Sequence, residues 1–282
     1  MRILVAGAAG LIGSAVSATL RRAHEVVGLD SRPGPEVGLI ADIRDPLRLA
    51  GFDAIVHVAA LHASHVGVAA DSEFRSVNVD GTARLLESAL AAGVSRFVFT
   101  SSTSVYGHAL EPSEGHAAWI DEQVEPEPRD IYDETKLAAE SLVRSAGLSG
   151  AVLRMSRCFP EPAPLMAAYR LHRGIDRRDV ATAHSLALEA GTASPEVYVV
   201  SAKPPFLPED ARTLYEDAPA ALRRRAPRVA AAFEARGWAL PRSIGRVYCP
   251  ARAAKEIGFV ARCSAMDVID GDCDPEPLRS PA

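Results

Sequence analysis

Two patterns of apolar and polar positions alternate along the chain. Short runs apolar along their whole length, "RILVAG", "EVVGLD", "DAIVHVAA", "SRFVFTSS", "GAVLRMS" and "EVYVVS", have strand length, and "GLIADI" is a shorter one. Between them lie helix formers: "LIGSAVSATLRRA", an alanine-rich stretch over roughly 69–92, residues 132–146, and "RDVATAHSLALEA". Strands with no polar face are covered on both sides, which predicts a parallel sheet between two helical layers. Right-handed crossovers then make the fold α/β and doubly wound.

The pattern changes after about residue 158, where prolines become frequent and 208–236 reads as one or two helices. The expected division is a nucleotide-binding domain over 1–158 and about 175–200, with a small discontinuous C-terminal cap over about 159–174 and 201–262. The acidic, proline-containing 263–282 is expected to be a loosely held tail.

Composition narrows the function. A chain of 282 residues, 48% hydrophobic, buries a substantial core, and its net charge of -5 gives no general attraction to nucleic acid or anionic membrane. The basic run "RRRAPR" at 223–228 reads as the solvated face of a helix. No window of about 18 apolar residues suggests a membrane span. "MRILVAG" enters a strand directly, without the regions of a signal peptide. Cys158, Cys249, Cys263 and Cys273 fit no zinc spacing, so no metal and a reduced, cytoplasmic protein are expected. Cys158 reads as a small core residue.

Chemistry enters after the first strand. "GAAGLIG" sets Gly7, Gly10 and Gly13, with Leu11 and Ile12, where a Rossmann-type fold brings backbone N–H groups to a pyrophosphate. Asp30 ends the second strand, where a carboxylate accepts hydrogen bonds from the adenosine ribose and repels the extra phosphate of NADP. Arg32 nearby softens that preference, and NAD is the expected cofactor. Asp42, followed by Ile43, either faces the adenine amino group or serves a turn. In "YDETK", Tyr132 and Lys136 lie four apart and share a helix face.

Together these residues resemble the extended short-chain dehydrogenase/reductase family, the NAD-dependent epimerase/dehydratase type. The resemblance covers about residues 1–200 and rests on "GAAGLIG", "HVAA" at 57–60, "VNVDGT" at 77–82, "TSSTSVYG" at 100–107 and "YDETKLAAE" at 132–140. It implies a catalytic Ser102, Tyr132 and Lys136. A phenol with a pKa of about 10 is a poor base, and a nearby ammonium and the nicotinamide charge lower it. Lys136 would also bind the nicotinamide ribose. The resemblance makes Ala59, Ala60 and Thr100 cofactor contacts too, with Asn78 supporting the adjoining backbone. It further implies a possible homodimer through helices near 72–92 and 132–146.

Departures from the family pattern bear on substrate. Dehydratases carry Asp-Glu where Thr103 and Ser104 stand, so elimination of water is disfavoured. The segment from Arg154 to the next helix is about 25 residues and lacks the nucleotide-gripping insertion of nucleotide-sugar epimerases. It is similar to the shortened segment of uronate dehydrogenases, except that Met166 stands where those enzymes carry an arginine. Arg157 either contacts substrate or pairs with Glu161. His62, Ser64 and His65 in "LHASHVG", and Thr103, are further candidate substrate contacts. His108, Glu111, His116 and Trp119 lie between the serine and tyrosine motifs and are unranked. The expected activity is hydride transfer between NAD and a secondary alcohol of a sugar-like small molecule. The alternatives are a UDP-glucose-type 4-epimerase and a non-catalytic NAD-sensing interaction protein.

Overall fold

The computed structural model describes residues 1–192 and 194–272. Nine strands occur among them: β1 (Arg2–Ala6), β2 (Glu25–Asp30), β3 (Val37–Ile40), β4 (Ala54–His57), β5 (Arg96–Ser102), β6 (Ala118–Ile120), β7 (Ser149–Met155), β8 (Glu196–Val200) and β9 (Arg246–Tyr248). Seven form one parallel sheet in the order β3-β2-β1-β4-β5-β7-β8. Strand order reverses between β1 and β4, whose register sets Ile3 beside Ala54 and Ala6 beside His57. That reversal opens a crevice at the carboxyl ends of the strands, where α/β sheets bind ligands.

Helices cover both faces. α1 (Leu11–Leu20) follows β1. α2 (Asp71–Phe74), a π-helical segment Arg75–Asp80 and α3 (Gly81–Ala91) run on without a break. α4 (Ile131–Ser145) starts at Asp130, whose side chain accepts from the Asp133 N–H at 3.0 Å. After α5 (Ala163–Arg170), α6 (Arg177–Ala190) starts at Asp176, which accepts from the Arg178 N–H at 2.9 Å. Such caps contribute about 1 kcal/mol each. One apolar layer joins Val16 and Leu20 of α1 to Val180, Ala183 and Ala187 of α6. The other joins Leu85 and Leu86 of α3 to Ala139 and Val143 of α4. The doubly wound fold expected from the apolar runs is the fold of the chain.

A smaller second core departs from the expected boundaries. It gathers α5, α7 (Ala211–Glu216), α8 (Ala218–Arg225), α9 (Pro227–Ala235) and α11 (Ala265–Asp270) around Phe206, Leu214, Leu222 and Phe233. Beside it β6 and β9 pair in parallel, Ala118 with Arg246 and Ile120 with Tyr248. Ala253, Ile257 and Phe259, at and just after α10 (Ala251–Glu256), pack instead into the main core, although 201–262 was assigned to the cap. Residues 264–270, expected to belong to a loosely held tail, instead form a packed helix. Ser264 caps α11, and Ala265, Val268 and Ile269 are buried. Residues 273–282, including Cys273, lie outside the described residues.

The basic run also differs from a solvated face. Arg224 and Arg225 both bond the carboxylate of Asp210, which is fully buried, Arg225 through Nε at 2.7 Å. Burying that carboxylate requires paired charge, and the run supplies it.

Candidate active site

A cleft of about 870 Å³ runs along the crevice. Its first part is the glycine turn. Gly7 has φ +93°, and a Cβ there would come within 2.5 Å of the Ala59 backbone nitrogen across the strand reversal. A Cβ on Gly13 would meet the Gly7 carbonyl at 2.0 Å. Gly10 is looser. Its Cβ would meet only Gly7 O, at 3.4 Å, and would project into the cleft it lines. No side chain caps α1, so its first N–H groups face the cleft without a capping side chain. An open helix N-terminus under a bare glycine turn fits a diphosphate.

The adenosine edge is acidic and preset. Asp30 Oδ2 accepts from Ala9 N and Oδ1 from Arg32 N, both at 3.0 Å. Arg32 lies 3.5 Å from the same carboxylate and is largely exposed. Asp42 is held by Arg44, whose Nε and Nη2 donate to it at 2.9 and 2.6 Å. Those bonds keep the Asp42 carboxyl below its usual range. Leu11, Ile12, Ile43, Ala59 and Ala60 line the same space. Asn78 does not. Its amide is consumed by the backbone of Leu61, accepting from N at 2.8 Å and donating to O at 3.0 Å, and by Thr135 at 3.1 Å. It acts on the β4 loop from beneath and does not face the cleft.

Ser102, Tyr132 and Lys136 come together on the wall formed by β5 and α4, and all three line the cleft. Ser102 caps the short helical turn Thr103–Tyr106, accepting from Ser104 N at 3.1 Å. Burial pushes Tyr132 up to about 12, although a hydrogen bond from Ser102 works against it. Asp133 and Asp130 push the same way as burial. Lys136 donates from Nζ to the Thr100 carbonyl at 2.7 Å and lies 4.0 Å from the centre of the Phe99 ring. Burial draws it down to about 7, and Glu140 pulls it back up. The lowered phenol expected from the Tyr–Lys spacing is therefore not a property of the protein alone. Thr100 lines the cleft with its polar atoms engaged, since its hydroxyl bonds His184 at 2.7 Å.

The remaining candidates divide. His62, His65, Thr103 and Arg157 line the cleft, whereas Ser64 does not; its hydroxyl bonds the His62 ring at 3.0 Å. Arg157 both lines the cleft and donates from Nε to Glu161 at 2.8 Å. His108, Glu111, His116 and Trp119 are absent from the lining, which takes Leu110 from that loop. Cys158 lines it with a thiol that burial pushes up to about 12, so it stays protonated. Arg129, Ser156, Phe159, Arg173, Arg246 and Tyr248 also line it and were not singled out from the sequence. Arg246 and Tyr248 belong to β9, which reaches the cleft by pairing with β6, and no motif marks that pairing. Among the described residues no group of three or more His, Cys, Asp or Glu side chains can hold a metal ion, and no helix is long and apolar enough to cross a membrane.

The model of the NAD dependent epimerase/dehydratase family matches residues 3–162, more than half of the chain. The chain belongs to this family. NAD is thus the cofactor, and the bare glycine turn at the start of α1 fits its diphosphate. A 3-beta-hydroxysteroid dehydrogenase of Mycolicibacterium neoaurum is 36% identical over 159 residues, covering 50% of this chain and 42% of that protein. The chain thus matches less than half the length of that relative. A short-chain dehydrogenase/reductase superfamily protein from Agrobacterium tumefaciens with bound NAD shares the fold, with TM-score 0.70, 23% identity and coverage of 97% and 96% of the two chains. MoeE5, solved with UDP-glucose and NAD, is 25% identical with TM-score 0.69 and covers 96% of each chain.

Proposed function

We propose that the protein is an NAD-dependent oxidoreductase that oxidises a secondary alcohol of a free sugar or sugar-like substrate. The observation that carries this reading is the convergence of Ser102, Tyr132 and Lys136 on one cleft wall, beside the glycine turn. Tyr132 takes the proton of the substrate hydroxyl, and Ser102 holds the oxygen from which it leaves. NAD, when bound, supplies the hydride acceptor. Lys136 presents its ammonium from a fixed anchor on the Thr100 carbonyl. The positive charges of the completed site then favour the phenolate, which burial alone disfavours. Thr103 and Ser104 carry no carboxylate, which supports oxidation over elimination of water.

The short passage from β7 to α6 supports a compact substrate. It holds only α5 and contributes Arg157, Phe159 and Arg173 to the cleft. A second reading, a nucleotide-sugar epimerase, is favoured by the UDP-glucose bound to MoeE5. The deciding experiment measures NADH absorbance with NAD and a panel of free sugars, sugar acids and UDP-sugars, with NMR for interconversion. Accumulating NADH is expected. Interconverted UDP-sugar without net NADH would make the protein an epimerase. Tyr132→Phe is expected to lower kcat by about 10²–10⁴ with NAD affinity intact. Wild-type turnover in that variant would remove Tyr132 from the mechanism, and an unchanged cellular role or partner binding in it would favour the sensor.

A further inference from the structure

Four arginines line the half of the cleft built from β5, β7 and the small core: Arg129, Arg157, Arg173 and Arg246. Two are already matched. Arg129 lies 3.4 Å from Asp133, and Arg157 donates to Glu161. The other two are not. No carboxylate pairs with Arg173 or Arg246 among the described residues, and the Nε of each is shut off from solvent with no acceptor. Burial, then the charge of Arg246, hold Arg173 below the usual arginine range. Two cations that line one cleft, each with an Nε lacking an acceptor, are costly to the free protein, and an anion received by the pair offsets that cost.

The pair is also built in advance. The Arg173 guanidinium lies 4.0 Å from the centre of the Tyr169 ring, which fixes its plane. His172 ties the two segments together. Its carbonyl accepts from Tyr248 N at 2.9 Å, and its Nδ1 meets the Arg246 carbonyl at 2.9 Å. A carbonyl only accepts, so Nδ1 carries the hydrogen. Burial drives His172 down to about 3, so the tie adds no third positive charge. The carboxylates that line the cleft, Asp30, Asp42 and Glu73, all come from the segments between β2 and α2.

We infer that Arg173 and Arg246 form an anion-binding pair that receives a carboxylate or phosphate oxyanion of the substrate and sets its specificity. Guanidinium forks suit either oxyanion. The inference rests on the proposed oxidation of a sugar-like substrate, but binding tests it without turnover. The NAD-loaded protein is titrated calorimetrically with glucuronate, UDP and glucose. Wild type is expected to bind one of the two anions at least about tenfold more tightly than glucose. Glucuronate preferred identifies a carboxylate, and UDP preferred identifies a phosphate. Arg173→Gln and Arg246→Gln are each expected to weaken the anion by about 10- to 100-fold while NAD affinity holds. Arg173→Lys and Arg246→Lys keep the charge without the fork and are expected to lose less, which covers a Gln variant that fails to fold. Anion affinity unchanged in all folded variants, or a wild type that prefers neither anion to glucose, overturns the inference. No NADH from any substrate together with variant-sensitive anion binding would refute the oxidation and leave the pair standing. NADH from a sugar with variant-insensitive binding would do the reverse.

Discussion

Tyr132 and Lys136 are tuned in opposite senses by one cause. Burial removes water from a phenol and an ammonium alike, pushing the first up to about 12 and the second down to about 7. A base must lose its proton before it acts, so oxidation is slowed at every pH below the phenol's pKa. With Lys136 needed as the ammonium, kcat/KM in the oxidative direction is expected to rise up to about pH 7 and then level off, because each further gain in phenolate is offset by loss of the ammonium. A profile that is level below pH 7 as well would count against Tyr132 as the base. Behind the pair, Glu140 receives Arg154 Nε at 3.0 Å and Nη2 at 2.8 Å, with both side chains buried. Arg154→Met would strand that carboxylate and is expected to lower stability by about 3–5 kcal/mol in urea titrations. The spacing of Tyr132 and Lys136 was legible in the sequence. Their titration was not, because it depends on walls contributed by β5 and by residues far along the chain.

At the scale of elements, the glycine turn and the π-helical segment do different work on the same crevice. In the turn, the chain doubles back so closely that Gly13 has no room for a methyl group. Gly13→Ala would move the Gly7 carbonyl and the start of α1, and NAD affinity is expected to fall at least about tenfold in calorimetric titration. The π-helical segment widens one turn of helix, a distortion common at functional sites, and Asn78 sits within it. Its amide then spans to Leu61 and Thr135, coupling the β4 loop to α4. "VNVDGT" gave no hint of the π turn, because propensity distinguishes helix from strand and not one helical hydrogen-bond step from another. Strands β1, β2, β4, β5, β7 and β8 were readable because each is apolar along its length. β6 and β9 have three residues each and no pattern of their own.

For the whole molecule, three histidines are buried neutral. Burial holds His57 and His172 down to about 3 and His184 to about 4. Below their ordinary pKa of about 6.5 the unfolded chain takes up protons that the folded chain refuses, so stability falls as pH drops. Each contributes a slope of about 1.4 kcal/mol per pH unit between about pH 6.5 and its folded value. The melting temperature is expected to drop steeply from about pH 7 to 5, more than for a variant with His184→Gln. A melting temperature level across that range would contradict the neutral assignment. The plan of a parallel sheet between two helical layers was legible from one end of the sheet to the other, since local patterning specifies it. The partition beyond residue 200 was not, because Phe259 and Ile257 return to the main core while α11 joins the small one.

The pairing of β6 with β9 has a consequence for how the protein is made. Ala118 waits for Arg246, so a growing chain that already displays its glycine turn, Tyr132 and Lys136 still lacks one wall of its cleft. Contacts so distant in sequence form late. During synthesis the glycine turn and α4 leave the ribosome before β9 and before Ala253, Ile257 and Phe259, so both the last wall of the cleft and the closing of the main core wait for residues beyond 245.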